Sequence, residues 1–320
     1  MSHTVLITGG LGYLGGRMTR YLSENSASRM LAATRREGMR PPLWLKDGGI
    51  IRLDVTAPRI SPELFRGVQG VVHLAAINEI QCREDPHAAM EVNSVGTLKV
   101  LAAAQEAGVK RFIYLSTAHV YGAPLQGTIT EQTLPRPVHP YAISHRVAED
   151  MVLAAHDQKL LTGIVLRLSN ALGPPVQPEV DRWTLLVNNL CRQAATTGEL
   201  LLRSTGKQVR DFVTLLDVCR AVDHLLNLPA ENCADSLFNL GGQCAMTIIE
   251  MARRIADRCQ EVLGVKPQIQ LPPSAQEQAS NDLDYRIDKL KSTGFELRGN
   301  IDAEIDDTLL FCREALGLAK

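Results

Sequence analysis

The chain has 320 residues, 45% of them hydrophobic, 22% charged and 4% aromatic. That is too apolar for a disordered chain and long enough for about two domains, or one large domain with a lobe. Lys plus Arg (34) against Asp plus Glu (35) leave a formal charge of -1, so bulk electrostatics offers no case for nucleic acid or a membrane surface as partner.

No apolar stretch reaches the roughly 18 residues that a membrane-spanning helix needs. Met1-Ser2-His3-Thr4 places no basic region ahead of Val5-Leu6-Ile7, which argues against a signal peptide. The cysteines at 82, 191, 219, 233, 244, 259 and 312 form no C-x-x-C pair, so reduced thiols and a metal-free, cytoplasmic protein are expected.

Short apolar runs at 5–8, 30–34, 50–53, 71–75, 112–116 and 163–168 predict strands, and 13–23, 88–107 and 141–156 predict helices between them. Strands alternating with helices imply an α/β fold, a doubly wound parallel sheet covered on both faces. Pro86 suits the first turn of the helix 88–107, and Gly108 ends it. Past Asn170 the texture loosens, with Gly173-Pro174-Pro175 and Pro178 marking a loop and 271–281 reading as another. Residues 1–170 are therefore expected to form the doubly wound α/β domain and 171–320 mainly a second, smaller lobe. Segments near 210–245, including Phe238-Asn239-Leu240, are expected to return to the first sheet.

The run from Val5 to Gly15 carries the strongest signal. Gly10-x-Gly12-x-x-Gly15, or Gly9-x-x-Gly12-x-x-Gly15 in the wider spacing, follows a strand and opens a helix. Glycines there let the backbone turn tightly and approach a pyrophosphate, which meets N–H groups at the helix N-terminus. The second strand ends in Thr34-Arg35-Arg36, with no carboxylate until Glu37. Two guanidiniums suit a 2′-phosphate, so NADP is favoured, with NAD as the other option.

Further along come Asp54-Val55, His73-Leu74-Ala75-Ala76, Asn93 with Gly96-Thr97, Leu115-Ser116-Thr117-Ala118-His119-Val120-Tyr121-Gly122 and Tyr141-Ala142-Ile143-Ser144-His145. Arg167-Leu168-Ser169-Asn170, Arg210-Asp211-Phe212, Asp217-Val218 and Asn239-x-Gly241 follow in order. With these the chain resembles the extended short-chain dehydrogenases/reductases, the NAD(P)-dependent epimerase/dehydratase family that modifies nucleotide sugars. The resemblance implies a cofactor site at Gly9, Gly12, Tyr13, Leu14, Gly15, Arg35, Arg36, Asp54, Val55, Leu74, Ala75, Ala76, Asn93, Tyr141 and His145. It implies Tyr141 as acid/base, Thr117 as the hydroxyl on the reacting oxygen, and a substrate diphosphate held by Arg210 with Asn170 nearby. It also implies that 1–170 is an NAD(P)-binding Rossmann domain and 171–320 mainly a substrate-binding lobe, and a homodimer through the helices 88–107 and 141–156.

His145 departs from that family, which has Lys four residues after the tyrosine to lower its pKa. Three readings stay open: His145 acts as a cation in a perturbed site, another residue supplies the charge, or catalysis is weak. Ala118 and His119 stand where sugar 4,6-dehydratases carry acidic residues, which disfavours dehydration and leaves 4-epimerisation or keto-sugar reduction. Arg210-Asp211 could instead be a structural ion pair. A non-catalytic NADP-binding regulator and a reductase of a non-sugar carbonyl are the alternatives.

Overall fold

The computed structural model describes residues 3–233, 235–272 and 282–316; most of the loop expected at 271–281 lies outside them. The main sheet contains β1 (Thr4–Thr8), β2 (Arg29–Thr34), β3 (Gly49–Arg52), β4 (Gly70–His73), β5 (Arg111–Thr117), β6 (Thr162–Leu168) and β7 (Leu237–Leu240). Its order is β7-β6-β5-β4-β1-β2-β3, parallel throughout. The order reverses between β1 and β4, and ligands of open α/β sheets bind outside the strand ends at such a switch point. β7 contains the Phe238-Asn239-Leu240 run and pairs with β6, so this segment does return to the first sheet.

Helices α1 (Tyr13–Asn25), α2 (Gly96–Glu106), α3 (Pro140–Asp157), α4 (Leu186–Thr197), α5 (Leu215–Asn227), α6 (Ile248–Leu263) and α7 (Ile301–Leu316) are the longer helices among the described residues. Leu6, Val71 and Phe112 pack beneath α2 and α3, whereas Ile7, Val72 and Ile113 pack with α1 and α5, which fills both faces. A further core joins α4, α6 and α7 around Leu172 and Phe212. It sits beside a small sheet of Asn170–Leu172, Val209–Thr214 and Ala245–Thr247.

The helix expected over 88–107 is more broken than its alanine content suggests. It starts at Pro86–Ala89, where the Asp85 carboxylate accepts from Ala88 N at 2.9 Å, passes through a π turn at Met90–Val95 and continues as α2. The π turn carries Asn93 and Ser94 into the interior against α3, where Ser94 Oγ donates to Ser144 O at 2.9 Å.

One buried ion pair fixes α3 on the sheet. Arg167 of β6 donates from Nε to Glu149 Oε1 at 2.9 Å and from Nη2 to Oε2 at 2.6 Å, and Ser116 Oγ donates to the same carboxylate. Removing one member would leave a buried charge unpaired, a cost of about 3–5 kcal/mol. Tyr141, in the first turn of α3, inherits its position from this contact.

Candidate active site

Gly9 adopts φ +63°, and a side chain there would press on the backbone of Leu74 and Ala75. A β-carbon on Gly15 would overlap the carbonyl of Gly9, so the first turn of α1 seats directly on the loop. Gly10 serves the sheet instead, its bare Cα packing on Ile7 O and Ala32. Gly12 caps α1 without a side-chain hydrogen bond, and the first turn holds no acidic residue. The first helical N–H groups, from Tyr13 to Gly15, lie before the first intrahelical bond, Gly16 N to Gly12 O. They and the helix dipole suit an anion. The Tyr13 side chain turns away to donate to Gly173 O at 2.9 Å, and Leu14 packs into the core, so both offer the site only backbone.

At the end of β2, Arg35 and Arg36 are exposed. The neighbouring carboxylates are engaged: Glu37 pairs with Arg52 at 2.7 Å, and Asp54 accepts from Thr56 N and Oγ1 at 2.9 and 2.7 Å. Val55 is buried, and its side chain is the reason Gly96 must lack one. Ala76 is exposed at the lip beyond β4. Asn93 is corrected to a positioning role. It is fully buried, accepts from Ile77 N at 2.9 Å and donates to Ser144 Oγ at 3.0 Å, so its amide supports the 74–77 segment from behind.

That segment is also held from β1. Thr8 Oγ1 accepts from Leu74 N at 3.0 Å and Ala75 N at 3.1 Å, which occupies its lone pairs. Its proton therefore goes to His73 Nδ1 at 2.8 Å, which leaves the His73 proton on Nε2 to donate to Thr97 Oγ1 at 3.0 Å. Thr97 passes its own proton to Asn93 O at 2.6 Å. His73 is thus a neutral, satisfied core histidine, and burial pushes it down to about 3.

From His73 a run of rings leads across the sheet. Its centroid lies 5.9 Å from that of Tyr114, Tyr114 lies 5.6 Å from His145, and His145 lies 4.4 Å from Tyr141. His145 is 3% exposed, and burial pushes its imidazole down to about 3. That burial works against the reading of His145 as the cation beside Tyr141. Enclosure pushes the Tyr141 phenol up to about 12; Arg182 pulls it down, against Glu79 and Cys82. Arg182 is the cation that works to lower the Tyr141 phenol, and it lies 3.6 Å from Glu79 in a loop that sequence spacing does not connect to the tyrosine.

Thr117, at the end of β5, is buried, and its Oγ1 accepts from His119 N at 3.2 Å, a contact that does not use its own proton. Asn170 donates to Asp211 O at 3.0 Å, which ties two strands of the small sheet together. Arg210 does not pair with Asp211. Asp211 accepts from Ser169 Oγ, Gly242 N and Cys244 N, while Arg210 donates to Gln208 Oε1 at 3.2 Å and acts electrostatically on His119. Tyr121 belongs to the interior, donating to Asn239 Oδ1 at 2.7 Å beneath Arg167.

A glycine turn at the sheet's switch point, with Tyr141 in the first turn of the helix that follows β5, fits a dinucleotide-dependent enzyme of the short-chain dehydrogenase/reductase type. Residues 5–241 match the NAD dependent epimerase/dehydratase family, and the chain belongs to it. It is 28% identical over 278 residues to the UDP-glucose 4-epimerase of Rhizobium leguminosarum bv. trifolii, covering 79% of this chain and 81% of that one. Over 303 residues it is 26% identical to the low-salt glycan biosynthesis protein Agl12 of Haloferax volcanii, covering 91% and 93%. The fold is shared with UDP-glucuronic acid 4-epimerase from Bacillus cereus in complex with NAD, at TM-score 0.82 and 21% identity, covering 97% and 96%.

A dinucleotide fits these residues. The uncapped first turn of α1 and the bare Cα of Gly12 offer a pyrophosphate backbone donors, and Gly9 and Gly15 keep the turn flat against Leu74 and Ala75. Among the described residues no cluster of His, Cys, Asp and Glu could hold a metal ion, and no helix is long and apolar enough to cross a membrane.

Proposed function

We propose that this protein is an NAD(P)-dependent nucleotide-sugar 4-epimerase with Tyr141 as acid/base. The observation that carries the reading is the glycine turn at the switch point of the sheet, with Thr117 at the end of β5 and Tyr141 in the first turn of the helix that follows it. A dinucleotide held at Gly9–Gly15 and Leu74–Ala76 would supply a hydride acceptor for oxidising the sugar carbon and a hydride donor for reducing it again from the opposite face of the sugar. Tyr141 removes the proton of the hydroxyl on that carbon and gives it back, while Thr117 donates a hydrogen bond to the same oxygen. Neither Ala118 nor His119 supplies the carboxylate for eliminating water, which supports epimerisation over dehydration.

Arg210 supports a diphosphate as the handle, since a guanidinium binds phosphate oxygens in a planar, bidentate way. The same feature weighs against a neutral carbonyl substrate, and the Thr117–Tyr141 hydroxyls weigh against a purely regulatory protein. Arg35 and Arg36 support a second reading, a keto-sugar reductase that consumes NADPH. Met90, Leu98 and Ile143 expose 37%, 45% and 42% of their surface along Met90–Val95, α2 and α3, which supports a homodimer through these helices. Sedimentation at the mass of one chain at micromolar concentration would refute that.

The functional reading is tested by thermal shift with UDP-, GDP-, CDP- and dTDP-sugars. One nucleotide class should raise Tm, and Arg210→Ala should remove the rise. No shift with any of them counts against a nucleotide-sugar substrate.

A further inference from the structure

One carboxylate ties the last helix of the chain to both halves of the site. Glu304 of α7 is buried, at 5% exposure, and its Oε1 accepts from Arg17 Nη2 of α1 at 2.8 Å. The same oxygen accepts from Leu216 N, in the first turn of α5, at 3.1 Å. Its Oε2 has no hydrogen-bond partner among the described residues, and a β-carbon on Gly173 would overlap it. Tyr13 and Arg17, four residues apart on one face of α1, reach the same turn. Tyr13 OH donates to Gly173 O at 2.9 Å and Arg17 Nη1 to Pro174 O at 3.4 Å.

These contacts fall where two strands of the small sheet end. Asn170–Leu172 runs directly into Gly173, and Val209–Thr214 runs directly into Leu215. The strands are parallel, with Phe212 opposite Asn170 and Thr214 opposite Leu172, so both exits lie at one end of the sheet. Glu304 therefore touches the exit of the strand that carries Asn170 and the exit of the strand that carries Arg210. It holds both against the helix that starts at the glycine turn. We propose that Glu304 is a positioning residue that sets the spacing between the dinucleotide on the first turn of α1 and the sugar diphosphate on the small sheet. α7 lies beyond residues 5–241, which carry the family match, so this spacing is set from outside the matched segment.

Packing alone does not call for this ion pair. Apolar side chains of similar volume often hold a buried contact as well or better, and an idle carboxylate oxygen adds a cost. What the carboxylate adds is direction, since one oxygen fixes α1, α5 and α7 together. Direction matters for turnover, because a misplacement of about 1 Å in a reacting group can cost about a hundredfold in rate.

The proposal rests on the nucleotide-sugar reading of the site. Its test compares the full chain with Arg17→Leu/Glu304→Leu, where an apolar pair replaces the ionic one, and with Tyr13→Phe, which frees the Gly173 turn without touching that pair. Each is measured by thermal melting, steady-state turnover, and calorimetric titration of NAD, NADP and the nucleotide sugar selected by thermal shift. The leucine pair should melt within a few degrees of the parent. It should bind each ligand separately with full stoichiometry and within about threefold of the parent, because no ligand-facing group has changed. Its kcat should nonetheless fall about 10- to 100-fold, with KM little altered. Tyr13→Phe should show the same split with a smaller loss in kcat, about three- to tenfold, the worth of one ordinary hydrogen bond. Parent kcat in either variant, or binding that weakens as much as turnover falls, would overturn the proposal while the functional reading stands. A parent chain that binds no nucleotide sugar, or turns none over, would overturn the functional reading and this positioning role with it.

Discussion

A β-carbon on Gly15 would overlap the carbonyl oxygen of Gly9, so the helix that meets the pyrophosphate can seat only because Gly15 has no side chain. The neighbour is backbone and has no rotamer to change. Gly15→Ala is expected to cost about 1–3 kcal/mol in stability, as overpacking does. It should also weaken dinucleotide binding more than about tenfold, because the donors of the first turn move. Calorimetric titration with thermal melting checks both, and an alanine variant that binds like the parent would show that the turn is not the pyrophosphate site.

His145→Lys restores a cation one helical turn from Tyr141. Enclosure holds the Tyr141 phenol at about 12, so its deprotonated form is scarce at neutral pH and grows as pH rises. Activity of the parent should therefore climb through the alkaline range. The lysine variant should keep or exceed the parent's turnover and begin to work at lower pH, because a positive charge favours the phenolate. A pH–rate profile measures this. Lower turnover at every pH in the lysine variant would contradict the electrostatic reading.

Much of this arrangement was legible in the residues themselves. Short apolar runs marked the strands of the main sheet, and the helix read over 141–156 is α3. What stayed hidden depends on contacts between distant segments. Arg182 and Glu79 act on Tyr141 from a loop and a short helix far from it in the chain. The state of His145 depends on Tyr114, on another element, and the π turn that buries Asn93 has no compositional mark. The alternative of an Arg210–Asp211 ion pair does not form for a simpler reason: both lie on one strand, where adjacent side chains point to opposite faces.

Acid should destabilise the protein through two histidines. Burial holds His73 and His145 at about 3, whereas an unfolded imidazole titrates near ~6.5. Between those values the unfolded chain binds protons that the folded one refuses. Their contribution is complete above about 6.5 and falls as pH drops toward 3, by at most about 1.4 kcal/mol per pH unit for each. Urea denaturation between pH 7.5 and 5 should show the decline, and His145→Phe should make it shallower. An identical slope in the variant would place His145 outside this linkage.

Arg35 and Arg36 end β2 with no unengaged carboxylate beside them, so NADP should bind more tightly than NAD by about tenfold or more, the worth of one charge-assisted hydrogen bond. Replacing both arginines with serine should erase the difference while leaving NAD affinity nearly unchanged. Tighter NAD than NADP binding in the unsubstituted protein would mean that the arginines are solvated surface charges.

Tyr141 is proposed to mediate reversible oxidation at C4 of a nucleotide sugar. The most direct measurement of this follows a nucleotide sugar deuterated at C4, of the class selected by thermal shift, by proton NMR with the protein and dinucleotide. The expected result is the C4 epimer with deuterium kept at the same carbon and no net build-up of reduced dinucleotide. Tyr141→Phe should slow this by at least about 100-fold while still binding dinucleotide. Absence of any epimer, loss of the deuterium to solvent, or full activity in Tyr141→Phe would contradict the claim.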